Sequence, residues 1–194
     1  MTVKQFDKLS KKKKAVLVAQ DVLLQLKAKK YIANAGHYIE SDNDNCDKNL
    51  DIKDKFEELK PCTVCALGSM LLSATHLGNK LTFKDINIIS SGSDQINNKN
   101  VKDLFNSIFD GNQLLLIETA FEGYSPFEER ANYPKSLEYY INESDRFGND
   151  VLGYVLNLKE AIDCTKFFRK YRNDENRLKA ICNNIILNSG TFVL

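Results

Sequence analysis

Two cysteines, Cys62 and Cys65, are the residues of this chain whose type and spacing most directly suggest chemistry. They precede an apolar stretch, residues 66–72, whose composition is typical of a buried helix. Residues three apart share one helix face, and the N–H groups at a helix start stabilise a thiolate. If residues 62–77 form a helix, the pair is a candidate redox dithiol or a candidate nucleophile.

A thiol nucleophile needs a base, and the chain has two histidines, His37 and His76. His76 follows Cys65 by eleven residues on the same predicted helix, a separation of about 16 Å, which is too long for a dyad. The candidate catalytic residues are therefore Cys65, Cys62 and His37. A redox dithiol is less favoured, because the βαβ pattern that usually accompanies one is missing from the sequence.

Zinc is a further alternative for the same region. His37, Cys46, Cys62 and Cys65 are residue types that bind zinc. Structural zinc sites usually have two closely spaced ligand pairs, and here only Cys62 and Cys65 are close in sequence. The sequence therefore predicts no bound metal or cofactor, and zinc at these four residues stays open.

A structural role accounts for the thiols more simply. Free cysteines behave as small buried hydrophobes, and the neighbours of Cys62 and Cys65 are small and apolar. Cys164 and Cys182 fall on apolar stripes of later predicted helices, so we expect both in the core. The odd number of cysteines, five, favours reduced thiols and a cytoplasmic protein.

Clusters of basic residues suggest an anion-binding surface. The formal net charge is only +1, which disfavours nucleic acid as the partner without excluding it. Residues 1–30, however, contain nine lysines and two acids, and residues 166–179 contain six bases and two acids. Solvated helix faces explain such clusters in most proteins. If the two segments meet, the candidate ligand-binding residues are Lys11, Lys12, Lys13, Lys14, Arg169, Arg172 and Arg177.

Carboxylates near residue 123 offer another candidate. Glu118 and Glu122 precede Gly123, and Glu128 and Glu129 follow it. Two carboxyl groups could serve as an acid and a base. Because glutamate is usually exposed, the sequence favours a solvated turn instead.

The chain is predicted to form a single all-α, or nearly all-α, domain over residues 1–194, with a candidate internal boundary at 90–94. A multi-helix bundle surrounds a central helix at 62–77, and residues 31–39 form a short extended segment. Predicted helices cover 10–30, 51–59, 62–77, 100–109, 113–121, 134–147 and 159–172, and a last helix is capped by Asn173 or Asp174. Ser10 and Asn112 are the predicted N-caps of earlier helices.

The motif Cys62-Thr63-Val64-Cys65-Ala66-Leu67-Gly68-Ser69 resembles one in a group of uncharacterised bacterial and phage proteins. These proteins place a Cys-Ala-Leu-Gly-Ala-like segment after a helix and a Gly-x-Tyr segment, which would be Gly36-His37-Tyr38 here. The closing segments 177–181 and 188–192 are also similar. Ser69 departs from the alanine of that pattern. The resemblance implies an accessory role: binding a host protein or sequestering a small signalling molecule.

Function is predicted from these features together. No apolar run is long enough to cross a bilayer, and the N-terminal residues lack a signal-peptide pattern. The leading hypothesis is a non-enzymatic binding protein, associated with a phage or mobile element, that binds a host protein or a small anionic ligand. The alternatives are a thiol-dependent enzyme and a nucleic-acid-binding accessory protein. A homo-oligomer is compatible with the sequence.

Overall fold

The computed structural model describes residues 3–36, 38–40, 51–78, 81–82, 84–85, 99–123 and 156–194. Its helices are α1 (Val3–Asp7), α2 (Lys11–Lys27), α3 (Ile52–Lys55), α4 (Ala66–Gly78), α5 (Lys99–Asn106), α6 (Gly111–Glu122), α7 (Leu158–Lys170) and α8 (Asp174–Leu187). A 3-10 turn, Phe56–Glu58, follows α3. The strands are β1 (Tyr31–Ala33), β2 (Ile39–Glu40) and β3 (Cys62–Val64). The predicted nearly all-α fold with minor extended segments is confirmed.

Helix α4 lies at the centre of the molecule, as the sequence predicted. Eleven of its thirteen residues are buried, and it contacts α1, α2, α3, α5 and α6. Small side chains permit these close approaches. The tightest is at Gly68, where a Cβ atom would lie 1.7 Å from the Tyr38 carbonyl oxygen. Only glycine fits at this position.

The predicted start of the central helix is wrong. The helix begins at Ala66, and Cys62–Val64 form the middle strand of a three-stranded sheet with the order β1-β3-β2. β3 pairs parallel to β1 and antiparallel to β2. The β-branched side chains of Thr63 and Val64 suit a strand, and the two neighbouring strands satisfy its backbone groups.

Helices α2 and α8 pack side by side in opposite directions. Gly190, just after α8, lies against Lys12 near the start of α2, where a Cβ atom would be 2.3 Å from the Lys12 carbonyl oxygen. At the other end of α8, Asp174 accepts a hydrogen bond of 2.9 Å from the Ala35 N–H, shortly after α2 and β1. The start of α2 therefore lies beside the end of α8, and the start of α8 lies beyond the end of α2.

Side-chain caps define several helix ends. Ser10 accepts a hydrogen bond from the Lys13 N–H, and Asn173 accepts one from the Asn176 N–H, so both predicted caps are confirmed. Asn112 is not the cap of α6, because that helix already begins at Gly111.

Some predictions fall outside the described residues: His37, Cys46, the candidate boundary at 90–94, and the helix at 134–147. Among the described helices, none combines the length and apolarity that a membrane span requires.

Candidate functional site

The two cysteines of the motif do not share a helix face. Cys62 lies in β3 and is 3% exposed, and Cys65 lies between β3 and α4 and is 1% exposed. The Cys62 thiol donates to the Lys60 carbonyl oxygen at 3.4 Å, and the Cys65 sulfur accepts from the Gly68 N–H at 3.4 Å. Cys164 and Cys182 are buried as predicted, and all four described cysteines are free thiols.

The structure brings into contact the two motif segments on which the resemblance rests, one at Gly36 and Tyr38 and the other beginning at Cys65. The Cys65 N–H donates to the Tyr38 carbonyl oxygen at 3.3 Å, and the bare Cα of Gly68 leaves room for that same oxygen. Gly36 has a φ of 84°, a conformation that favours glycine. The Gly-x-Tyr segment and the Cys-Ala-Leu-Gly segment thus form one packed unit.

A pair of carboxyl groups from α6 lies beside this unit. Tyr38 donates its hydroxyl to Glu118 Oε1 at 3.3 Å, and the Gly36 N–H donates to Glu122 Oε2 at 2.6 Å. Glu118 is only 4% exposed, so the predicted solvated turn is wrong for this residue. The apolar sequence around it, residues 114–121, is the signal that could have indicated burial.

Burial controls the protonation of this cluster. Burial, and secondarily the Glu122 carboxylate, raises the pKa of Glu118 to about 8. Burial also raises the pKa of Glu122 to about 7, although the Gly36 N–H opposes the change. Near neutral pH, Glu118 therefore retains its proton. Its second oxygen, Oε2, has no hydrogen-bond partner within the described ranges.

The same surroundings disfavour a thiolate at Cys65. Burial, followed by the charge of Glu122, raises the pKa of the Cys65 thiol well above its usual value. A reactive cysteine needs an electropositive and accessible environment, which is the opposite arrangement. The candidate base His37 and the candidate zinc ligand Cys46 lie outside the described residues. Within the described chain, no group of three or more metal-ligating side chains comes together.

Arg177 is a structural residue of the interior rather than part of a basic surface. It is 1% exposed. Its guanidinium donates to the Phe121 carbonyl at 2.6 Å and to the Tyr171 carbonyl at 2.9 Å, and it pairs with Asp174 at 3.0 Å. It also lies 3.9 Å from the centre of the Phe168 ring. These contacts join α6, α7 and α8 and use the guanidinium fully.

The two groups of basic residues do not form one surface. Gly190 lies beside Lys12, and Arg177 is thirteen residues away along the chain of α8, which corresponds to about 20 Å. Arg169 and Arg172 are exposed at the Arg177 end. Lys11 pairs with Asp110 at 2.7 Å at the opposite end. A single ligand of small size cannot contact both groups.

His76 joins α4 to α2. Its Nδ1 lies 3.1 Å from Oδ1 of the buried Asp21, and its ring stacks on Phe56 with the centroids 4.0 Å apart. Gln25 donates to the same Asp21 oxygen at 3.2 Å. This network fixes how the two helices pack.

A cleft lies at the lysine end of α2. Its volume is about 320 Å³, a size within the usual range for small-molecule sites. The lining residues come from α1, α2, α5 and the segments beside them: Asp7, Lys14, Leu81, Asn100, Asp103, Leu104 and Ser107. Of these residues, only Lys14 was predicted from the sequence as a candidate ligand-binding residue.

Lys14 differs from its three neighbouring lysines. Lys12 and Lys13 are exposed, whereas Lys14 is 7% exposed and lines the cleft. Its ammonium group lies 5.6 Å from the centre of the Phe6 ring. In the part of the chain that the structure describes, no carboxylate lies within ion-pair distance of it. The aliphatic stem of Lys14 is therefore packed in the protein, and its ammonium group is available to an anion in the cleft.

Comparisons of the chain with protein-family models, with curated proteins and with solved structures give no match. The resemblance to bacterial and phage proteins therefore stays a prediction, and the local geometry carries the functional argument.

Proposed function

We propose that this protein is a non-enzymatic binding protein whose cleft between α1, α2 and α5 takes up a small anionic ligand. The observation that carries the proposal is Lys14, a residue only 7% exposed that lines the cleft and has no carboxylate within ion-pair distance among the described residues. Packing of the Lys14 stem holds its ammonium group at the cleft, so an anion entering the cleft can form an ion pair with a side chain that is already ordered.

The other charged groups of the cleft are compatible with this proposal. Asp7 and Asp103 are exposed, so water screens their repulsion of an anion. Neither carboxylate lies within ion-pair distance of Lys14, so neither neutralises its charge.

The thiol-enzyme alternative has less support. Cys62 and Cys65 are buried, and the pKa of Cys65 is raised well above its usual value. Both features oppose nucleophilic attack at neutral pH.

Titration with inorganic phosphate at constant ionic strength tests the proposed function. Backbone amide NMR shifts of the full chain would be followed for wild type, Lys14→Met and Lys13→Met. Methionine keeps the apolar stem of Lys14, and Lys13→Met removes the same charge from an exposed position. We expect saturable shifts in wild type and Lys13→Met and at least a tenfold weaker affinity in folded Lys14→Met. Equal affinity in the two variants would overturn the proposal.

A further inference from the structure

One face of α5 lines the same cleft as Lys14. Asn100, Asp103, Leu104 and Ser107 recur at intervals of three, one and three residues, which places them on the same side of the helix. Leu104 provides an apolar floor, to which Leu81 adds. Since no carboxylate of the cleft lies within ion-pair distance of Lys14, the polar residues of this face are available to a second group of the ligand.

The polar groups of this wall are mainly acceptors. Asp7 and Asp103 carry carboxylates, which accept and never donate, and neither has an ion pair or side-chain hydrogen bond in the described part of the chain. Ser107 donates its hydroxyl to the Leu104 carbonyl at 2.8 Å, so lone pairs are what it offers to a ligand. Asn100 donates to Asp85 at 3.2 Å. The wall therefore offers mainly acceptors, which hydrogen-bond donors of a ligand would match.

We infer that the ligand is a small zwitterion, with one anionic group against Lys14 and one ammonium group against Asp103 and Asp7. This inference rests on the proposed function and goes further, because it specifies the second charged group. Lys14 contributes one positive charge and the two aspartates contribute two negative charges. A second anionic group would meet like charge, whereas an ammonium group meets opposite charge and hydrogen-bond acceptors.

Three matched probes separate these possibilities. Glucosamine 6-phosphate carries a phosphate and an ammonium group, glucose 6-phosphate lacks the ammonium group, and glucose 1,6-bisphosphate has a second phosphate. Each would be titrated into the full chain at fixed ionic strength. We expect glucosamine 6-phosphate to bind about fivefold more tightly than glucose 6-phosphate, the effect of a solvent-accessible ion pair. The bisphosphate is expected to bind more weakly than glucose 6-phosphate.

A charge-matched pair of variants assigns the preference to the cleft. Asp103→Asn keeps the shape of the side chain, and Asp54→Asn removes the same charge from an exposed residue of α3 that does not line the cleft. Asp103→Asn is expected to reduce the preference for the aminated sugar to less than twofold. Asp54→Asn is expected to preserve it.

The outcomes distinguish the inference from the proposed function. If inorganic phosphate binds through Lys14 but the aminated sugar has no advantage, the zwitterion inference is wrong and the anion site stands. An advantage that persists in Asp103→Asn also overturns the inference. If phosphate does not bind or binds independently of Lys14, both fail.

Discussion

Replacing Glu118 with glutamine is expected to change how the stability of the protein depends on pH. Burial raises the pKa of Glu118 from 4.5 to about 8 in the folded state. The folded state therefore holds this proton more tightly than the unfolded chain does, and unfolding becomes easier as the pH rises from about 4.5 towards 8. Glutamine has no proton to lose, and its amide oxygen can still accept the Tyr38 hydroxyl.

The size of the effect follows from the difference in pKa. Between pH 6 and pH 8 the wild-type chain loses about 2 kcal/mol of unfolding free energy through this group, because the loss of about 1.4 kcal/mol per pH unit falls to half as the pH reaches the folded-state pKa. Glu118→Gln lacks this loss. The difference in unfolding free energy between the two proteins is therefore expected to shift by about 2 kcal/mol in favour of the variant across this range.

Urea unfolding at pH 6 and pH 8, followed by far-UV circular dichroism, measures this difference. Glu58→Gln is the control, because the Glu58 side chain is 68% exposed and its removal is expected to leave the pH dependence as in wild type. Parallel pH profiles for wild type and Glu118→Gln would refute the argument that burial holds this carboxyl protonated.

Three further predictions concern the interior. At pH 7, peptide mapping after alkylation is expected to show Cys65 reacting on the order of 100-fold more slowly in the folded than in the urea-unfolded chain, and equal rates would contradict its burial. Gly68→Ala places a Cβ 1.7 Å from the Tyr38 oxygen and is expected to cost about 3 kcal/mol of unfolding free energy. Gly36→Ala meets no atom within 4 Å and is expected to cost about 1 kcal/mol through its φ alone, so equal costs would refute the steric argument. Arg177→Met leaves buried carbonyls without donors and is expected to cost about 3 to 5 kcal/mol in urea unfolding, whereas a cost below 1 kcal/mol would show that these bonds are dispensable.

Helices could be predicted from the sequence where an N-cap residue and an apolar stripe indicate the same helix. In α2 the Ser10 cap precedes an apolar stripe that includes Val18 and Val22, and both valines are fully buried. In α8 the Asn173 cap and the stripe through Ile181 act in the same way. Each signal lies within a few residues of the structure that it specifies, so one sequence suffices to find it.

Long-range contacts explain the predictions that were wrong. Cys62–Val64 form a strand because β1 and β2, more than twenty residues earlier, supply its hydrogen-bond partners. The burial of Glu118 depends on Tyr38, eighty residues away in sequence. Pairings of this kind have no local signature, because the partners are brought together by the fold.

The cleft, too, depends on contacts between residues that are distant in sequence. Lys14 stands in a run of four lysines, and its spacing of four residues from Val18 is the signal that places it on the buried face of α2. Its contact with Phe6 and the proximity of α5 depend on the fold. The spacing of Asn100, Asp103 and Ser107 is the signal that could have identified the α5 wall, since it defines one polar helix face.

A crystal structure of the full chain grown with inorganic phosphate would show directly where an anion binds. We expect a phosphate in the cleft, with an oxygen about 3 Å from the Lys14 Nζ. Lattice contacts at the bound ion would be checked, and the same position is expected in a second crystal form. A phosphate bound only at the exposed lysines Lys12 and Lys13, with the Lys14 ammonium group contacting no anion, would show that the cleft is not the anion site.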